Sequence, residues 1–402
     1  MTVPQGPQAF PRSEYLRRLA LVKEEMKRRE IGALVVTDQH NITYLSGYTA
    51  LSAYVPQGLV VSAQEEEPAF ILRPLDAIAA IYQCFMGREK IISYPETVIA
   101  SSEKDGYDVI INYLEEIGLT HRGIGIEASS LPAQAAEKFQ RRLPNALIVD
   151  CSLAITWIRL IKSDLEIEKM REAAAIADAA ILRAAEVIRP GVREADAAAE
   201  IFAALIRGAN GKAGTAVEQI NMCSSPLTGT AHLTWREDIF RHGSHINLEL
   251  GGTRHGYSAG IMRTYSIGAP SDQLRRVHDI QVAGLEAALA AVRPGKTCSD
   301  VANAFYRSIE KHGLKKESRC GYALGIGWLE PTASLRDGDF TELKPNMTFH
   351  LMLGNWIEED FGYVISESIR VTDSGVEVLT NMPRKIFQVP LSHSRSYRLF
   401  NT

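Results

Sequence analysis

The chain lacks the features that mark several common protein classes. Its five cysteines, Cys84, Cys151, Cys223, Cys298 and Cys320, are widely scattered and form no CxxC pair. That pattern argues against a disulfide framework and a structural zinc site, and it predicts reduced thiols in a cytoplasmic protein. No apolar run nears the roughly 20 residues needed to span a bilayer. Met1–Pro11 has neither a positive head nor an apolar stretch, so no signal peptide is expected. Positive charge is not in excess: 44 Lys and Arg stand against 48 Asp and Glu, interspersed, for a net charge of −4. Such a chain offers no basic face to nucleic acid and no polybasic patch to a membrane. The glycine-rich run Gly321–Gly327 (GYALGIG) lacks the lysine and following Ser or Thr of a phosphate loop.

What is present fits a soluble, two-domain globular protein. The 402 residues exceed what one hydrophobic core comfortably serves, and 46% apolar with 23% charged residues is ordinary composition. From Ser13, the spacing of Tyr15, Leu19, Val22 and Met26 predicts a helix. Short β-like runs follow at Ile31–Val36, Gly58–Ser62, Ala69–Leu72, Gly123–Ile126 and Ala146–Val149, with helical stretches at Tyr107–Ile117 and Ala133–Arg142. Strands alternating with helices predict an α/β domain over residues 1–155. Ser163 and Glu166 then form a capping-box signature, opening an alanine-rich helix towards Val187 and a second domain over 156–402.

The second domain carries an internal repeat. Arg189-Pro190-Gly191, then Asp196 and a helix through Ile206, recur as Arg293-Pro294-Gly295, Asp300 and a helix through Ile309. The strands that follow also correspond, Ser244–Leu250 (SHINLEL) with Met347–Leu353 (MTFHLML). Two sets of landmarks in register predict duplicated halves related by a pseudo-twofold axis, with one site between them.

Tyr44–Gly47 (YLSG), Arg159–Arg171, Gly256–Thr264 (GYSAGIMRT), Gly321–Gly327 and Ile365–Thr372 (ISESIRVT) together resemble the creatinase/aminopeptidase "pita-bread" family. The resemblance runs over essentially the whole length. It implies an α/β N-terminal creatinase-type domain and an α+β C-terminal pita-bread domain with an internal pseudo-twofold repeat. Ala231–Trp235 (AHLTW), Thr341–Met352 and Pro383–Phe387 (PRKIF) are most similar to the ectoine-hydrolase branch, which opens a cyclic amidine ring without a metal.

Metal-dependent members of this superfamily place two carboxylates, a histidine and two more carboxylates around a metal pair. By the resemblance those positions hold Glu249, Gly260, Tyr322, Met352 and Glu367 here. Two carboxylates with Gly, Tyr and Met would leave a hard divalent pair under-coordinated, so no metal and no cofactor is expected. His232 matches the pocket histidine that creatinase-like enzymes use for proton transfer. Glu249 and Glu367 lie within apolar strands, where an unpaired carboxylate is costly. The expected catalytic set is His232, Glu249 and Glu367, with His350, Tyr322, Tyr54 and Arg263 as substrate-binding residues. Side-chain alternation puts His350 on the same strand face as position 352.

The reaction implied is hydrolysis of a C–N bond in a small polar molecule, most closely a cyclic amidine. Glu367, assisted by Glu249, would activate water, and His232 would exchange a proton with the substrate nitrogen; the two glutamates could trade roles. The resemblance also implies a homodimer, in which the loop after Gly47, with Tyr48, Ser52 and Tyr54, reaches the partner's site. Three pocket segments depart from the ectoine-hydrolase pattern: Gly47–Tyr54 lacks an aromatic residue near position 51, Trp328–Ala333 (WLEPTA) replaces a proline-rich segment, and Tyr257–Ile261 (YSAGI) replaces one with His, Cys and Pro. A reshaped pocket with a different amidine, amide or guanidino substrate follows. The alternatives are a non-catalytic ligand- or peptide-binding protein and a metal-dependent Xaa-Pro peptidase.

Overall fold

The computed structural model describes residues 3–50, 52, 54–99, 101, 103–218 and 220–390. The chain divides into two compact units, Met1–Leu160 and Ile161–Thr402. The boundary read from the sequence, near Ile155, falls inside the last helix of the first unit, Ala154–Arg159.

The first unit runs α1 (Arg12–Arg28), β1 (Ile31–Val36), α2 (Gln39–Ser46), β2 (Gly58–Ser62), β3 (Ala69–Leu72), α3 (Pro74–Gln83), β4 (Ile91–Ser93), α4 (Gly106–Glu116), β5 (Gly123–Ile126), α5 (Ala133–Arg142), β6 (Ile148–Asp150) and α6 (Ala154–Arg159). One six-stranded sheet, ordered β4-β3-β2-β1-β5-β6, carries them. β1 is buried along its whole length, which accounts for its unbroken apolar sequence. On α1 the predicted stripe of Tyr15, Leu19, Val22 and Met26 is buried. Asp38 caps α2 by accepting from the backbone N–H groups of His40 and Asn41. Gly47 ends that helix in the left-handed region at φ 85°.

The second unit opens with α7 (Asp164–Val187) and α8 (Glu194–Arg207), then β7 (Ala216–Val217), β8 (Asn221–Ser224), β9 (His245–Arg254), β10 (Tyr257–Ile267), α9 (Asp272–Ala291) and α10 (Cys298–Glu310). It continues with β11 (Gly321–Gly325), β12 (Trp328–Leu335), β13 (Thr348–Met352), β14 (Asn355–Glu358), β15 (Phe361–Tyr363), β16 (Ser366–Val371), β17 (Val376–Val378) and β18 (Phe387–Val389). The capping box at the start of α7 forms as the sequence predicts: Ser163 Oγ accepts from Glu166 N, and the Glu166 carboxylate accepts from Ser163 N. Two five-stranded sheets form the framework. One is ordered β18-β10-β9-β7 with β8 also on β9, the other β12-β11-β13-β16-β17.

The duplicated sequence landmarks take equivalent places in the fold. Gly191 and Gly295 both turn the chain with left-handed φ, 81° and 80°. The residue before α8, Arg193, bridges to Ile239, and the residue before α10, Thr297, bridges to Glu342. Alanines of α7 make the packing against β9 close. A Cβ on Gly252 would lie 2.2 Å from the Ala173 carbonyl oxygen, so only glycine lets the strand approach the helix backbone there.

Candidate active site

A cavity of about 640 Å³ opens within the second unit, a volume suited to a small molecule. Its apolar walls are Met262, Trp328, Leu329, Met352 and Trp356. Its polar lining includes His232, Glu249, Asn221, Glu218, Arg319 and Tyr322. His232, Glu249 and Tyr322, singled out in the sequence, are therefore brought together around one space.

Each is positioned by a different element. Glu249 stands on β9, paired in register with Asn221 of β8 and Met262 of β10. Asn221 Nδ2 donates to its carboxylate at 2.8 Å. Burial pushes the Glu249 carboxyl up to about 7, partly offset by that hydrogen bond. A carboxyl poised there can gain or lose a proton near neutrality. His232 lies in the loop between β8 and β9. Next to it, Leu233 accepts at its carbonyl from Met222 N at 2.9 Å. Further along, Arg236 clamps the loop to buried Glu194, with Nη2 to Oε1 at 2.7 Å and its backbone N–H donating to Oε2 at 2.9 Å. Tyr322 projects from β11, and burial together with nearby Glu249 raises its hydroxyl, keeping it a neutral phenol.

The residues present do not fit a dinuclear metal. Among the described residues, no group of three or more His, Cys, Asp or Glu is placed to hold one. Where the second carboxylate would stand, a Cβ on Gly260 would lie 2.8 Å from the Trp328 ring, and one on Gly251 would lie 2.0 Å from it. The indole thus occupies the space in front of both glycines. Trp328 has φ 73°, a region that a bulky aromatic residue adopts at a cost of about 1–3 kcal/mol. Gly327 N donates to Gly256 O at 3.0 Å, which fixes the hairpin tip that carries the indole. Trp328 Nε1 donates to the Tyr322 hydroxyl at 2.7 Å. That hydroxyl lies 3.0 Å from His350 Nδ1, and His350 Nε2 lies 2.7 Å from Ser366 Oγ. Burial lowers His350 to about 3, so a neutral imidazole bridges the two hydroxyls, donating at one nitrogen and accepting at the other.

The structure corrects other expectations. Glu367 does not line the cavity. Register puts Met352 opposite Ser366 and Leu351 opposite Glu367, so Glu367 points to the other face of the sheet. There Arg263 Nη2 donates to it at 2.9 Å and Arg384 Nε at 3.1 Å, and Thr380 Oγ1 donates to its second oxygen. The position facing Tyr322, His350 and Met352 is Ser366. Arg263 is likewise withdrawn from the cavity, fully buried and donating to Glu367 and to the carbonyls of Met262, Ser366, Met382 and Pro383. His350 shares the face of Met352 as alternation predicts, but lies behind Tyr322 and Trp328 and is fully buried. Tyr54 belongs to the first unit, where it is 78% exposed and its hydroxyl accepts from Arg73 at 3.1 Å. Its neighbours Leu51 and Ala53 lie outside the described residues.

Sequence reading missed Asn221, Glu218, Arg319 and the filling role of Trp328. The paired glycines at 251 and 260 were the available signal for the indole, since two missing side chains on adjacent strands leave room for a large one.

Residues 18–161 match the creatinase/prolidase N-terminal domain, and residues 168–373 match metallopeptidase family M24. A Sinorhizobium fredii protein described as an uncharacterized hydrolase/peptidase is 63% identical over 96% of this chain and 99% of its own length. The ectoine hydrolase of Halomonas elongata is 35% identical over 94% of this chain and 98% of its own. The X-Pro aminopeptidase of Thermotoga maritima, at 20% identity, shares the fold with a TM-score of 0.81, covering 92% of this chain and 99% of that one. The chain belongs to metallopeptidase family M24, with a creatinase/prolidase N-terminal domain.

Proposed function

We propose that the protein is a metal-independent hydrolase of a C–N bond in a small polar molecule, a cyclic amidine by preference. One observation carries this reading: His232 and Glu249 line the same cavity, while the space of the family's second metal carboxylate is taken by the Trp328 indole. The similarity to the Halomonas ectoine hydrolase over nearly the whole chain supports the substrate class.

In this reading Glu249 replaces the metal as the group that activates water. Its carboxylate removes a proton as the water oxygen bonds to the amidine carbon. The tetrahedral intermediate collapses with cleavage of one ring C–N bond, and His232 delivers a proton to the departing nitrogen. The products are an amide and an amine. The Tyr322 hydroxyl, held by Trp328 and His350, is placed to hydrogen-bond the reacting group. Glu367 takes no part in the chemistry, and His350 and Arg263 act as positioning residues. The expected homodimer belongs to the same proposal, with exposed Tyr54 available to a partner subunit; sedimentation of the active protein as a monomer would remove it.

The direct test is incubation with ectoine and other cyclic amidines in the presence of excess chelator, followed by mass spectrometry. Gain of one water per substrate, unaffected by chelator, is the expected result. Activity that chelator abolishes and a divalent metal restores would instead establish the metal-dependent peptidase reading. Binding without hydrolysis across the panel would make the protein a ligand-binding module.

A further inference from the structure

Among the described residues the cavity is lined by one guanidinium, that of Arg319, and no carboxylate pairs with it. Arg319 precedes β11, and its guanidinium carbon sits 4.6 Å from the centre of the Tyr322 ring. Its one protein hydrogen bond among the described residues is a long one, from Nη1 to Ser334 Oγ at 3.4 Å. Other arginines of this unit are engaged by carboxylates: Arg263 and Arg384 by Glu367, Arg236 by Glu194, and Arg254 by Glu172. A guanidinium held over an aromatic face, with no carboxylate on it, can present N–H groups to a carboxylate as two parallel bonds.

The charge around it is sorted. Lys316, buried behind the same wall, donates to Ser318 Oγ at 2.7 Å and lies 5.5 Å from the Trp356 ring centre. Ser318 and Trp356 both line the cavity beside Arg319. The carboxylates Glu218 and Glu249 come instead from the other sheet: Glu218 from the segment between β7 and β8, where it accepts from Ser258 Oγ at 3.2 Å, and Glu249 from β9. Cations thus approach the cavity from the side of β11, and anions from the side of β9.

We infer that Arg319 determines specificity by binding the carboxylate of a small zwitterion, whose cationic end faces Glu249 and Glu218. The cationic end rests on the amidine reading above; the anionic end rests on Arg319 alone. A neutral or purely cationic amidine leaves this guanidinium unpaired in an aromatic pocket and binds less well. The substrate class is therefore narrowed to amidines, amides or guanidines that carry a carboxylate.

Calorimetric titration tests this with two probes, ectoine and the same ring without its carboxylate, using His232→Ala protein to slow turnover. Ectoine is expected to bind at least about 10-fold more tightly, as loss of one charge-assisted pair implies. Adding Arg319→Met should bring the two probes within about twofold of each other, while Arg319→Lys keeps part of the preference because the charge remains. Thermal melts confirm that the variants are folded. Equal affinities in the parent, a preference that survives Arg319→Met, or no binding of either probe would overturn the inference. Wild-type protein that opens the uncarboxylated ring as readily as ectoine would sink the inference and leave the proposed reaction standing. Ectoine binding that depends on Arg319 but leads to no ring opening would do the reverse.

Discussion

Glu367 and Arg263 form a buried ion pair, 2.9 Å apart and each 1% exposed, on the sheet face turned away from the cavity. A carboxylate so engaged stabilises the fold and is not free to activate water. Glu367→Gln should destabilise the protein by about 3–5 kcal/mol, because it leaves the Arg263 charge buried and poorly matched. Turnover per folded molecule should stay within about threefold of wild type, a change small beside the roughly 100-fold of a lost general base. Chemical denaturation with activity measured at low temperature separates the two effects, and a folded but inactive variant would return Glu367 to the mechanism.

In the proposed mechanism Glu249 sets the pH dependence. Its carboxyl is raised to about 7 by burial, and a general base works only when deprotonated. kcat/KM should therefore climb as pH rises through about 7 and flatten above it. Glu249→Gln should lose at least about 100-fold in activity and also lose this acidic limb. A profile already flat from pH 5 upward would show that another group removes the proton.

In the proposed mechanism His232 depends on a clamp within its own loop, the pairing of Arg236 with Glu194 of α8. Arg236→Met should lower kcat by roughly 10-fold by loosening the loop, and His232→Ala by at least about 100-fold. Combined, the two should cost little more than His232→Ala alone, because the clamp acts through the histidine. Additive losses in this double-mutant cycle would mean that Arg236 serves another purpose.

Reinstating one family carboxylate should not reinstate a metal. Gly260→Asp drives a side chain into the Trp328 ring, which the geometry puts 2.8 Å from its Cβ. Overpacking of this kind costs about 1–3 kcal/mol. The melting temperature should fall, and elemental analysis after dialysis against manganese or cobalt should find no stoichiometric ion. Tight binding of two ions by this variant would show that the remaining ligands suffice.

Much of this architecture was written locally. The stripe of Tyr15, Leu19, Val22 and Met26, the Ser163–Glu166 capping box and the repeated Arg-Pro-Gly landmarks each specify their element through nearby residues, and each reappears in the structure. His232, Glu249 and Tyr322 were legible as cavity residues because their motifs carry them. Glu367 was misread because strand period is two: an offset of one residue exchanges the cavity face for the far face, and the acidic neighbour of Ser366 invited that offset. The filling of the space before Gly251 and Gly260 by Trp328, and the setting of Arg319 against Tyr322 and Ser334, depend on packing between separate strands. No local pattern encodes such a contact.

Under the proposed metal-independent reading, Trp328 also gives single substitutions at the site a direction. Restoring an acid at position 260 first meets the indole. Removing the indole first opens a hole before two glycines and takes the Trp328 hydrogen bond from the Tyr322 hydroxyl. If the proposed metal-independent reading holds, each first step towards a metal site passes through a less stable chain, so the plug works as a ratchet. Under that reading the other walls of the pocket can change, and with them the molecule accepted, while single substitutions towards a metal site meet the plug first.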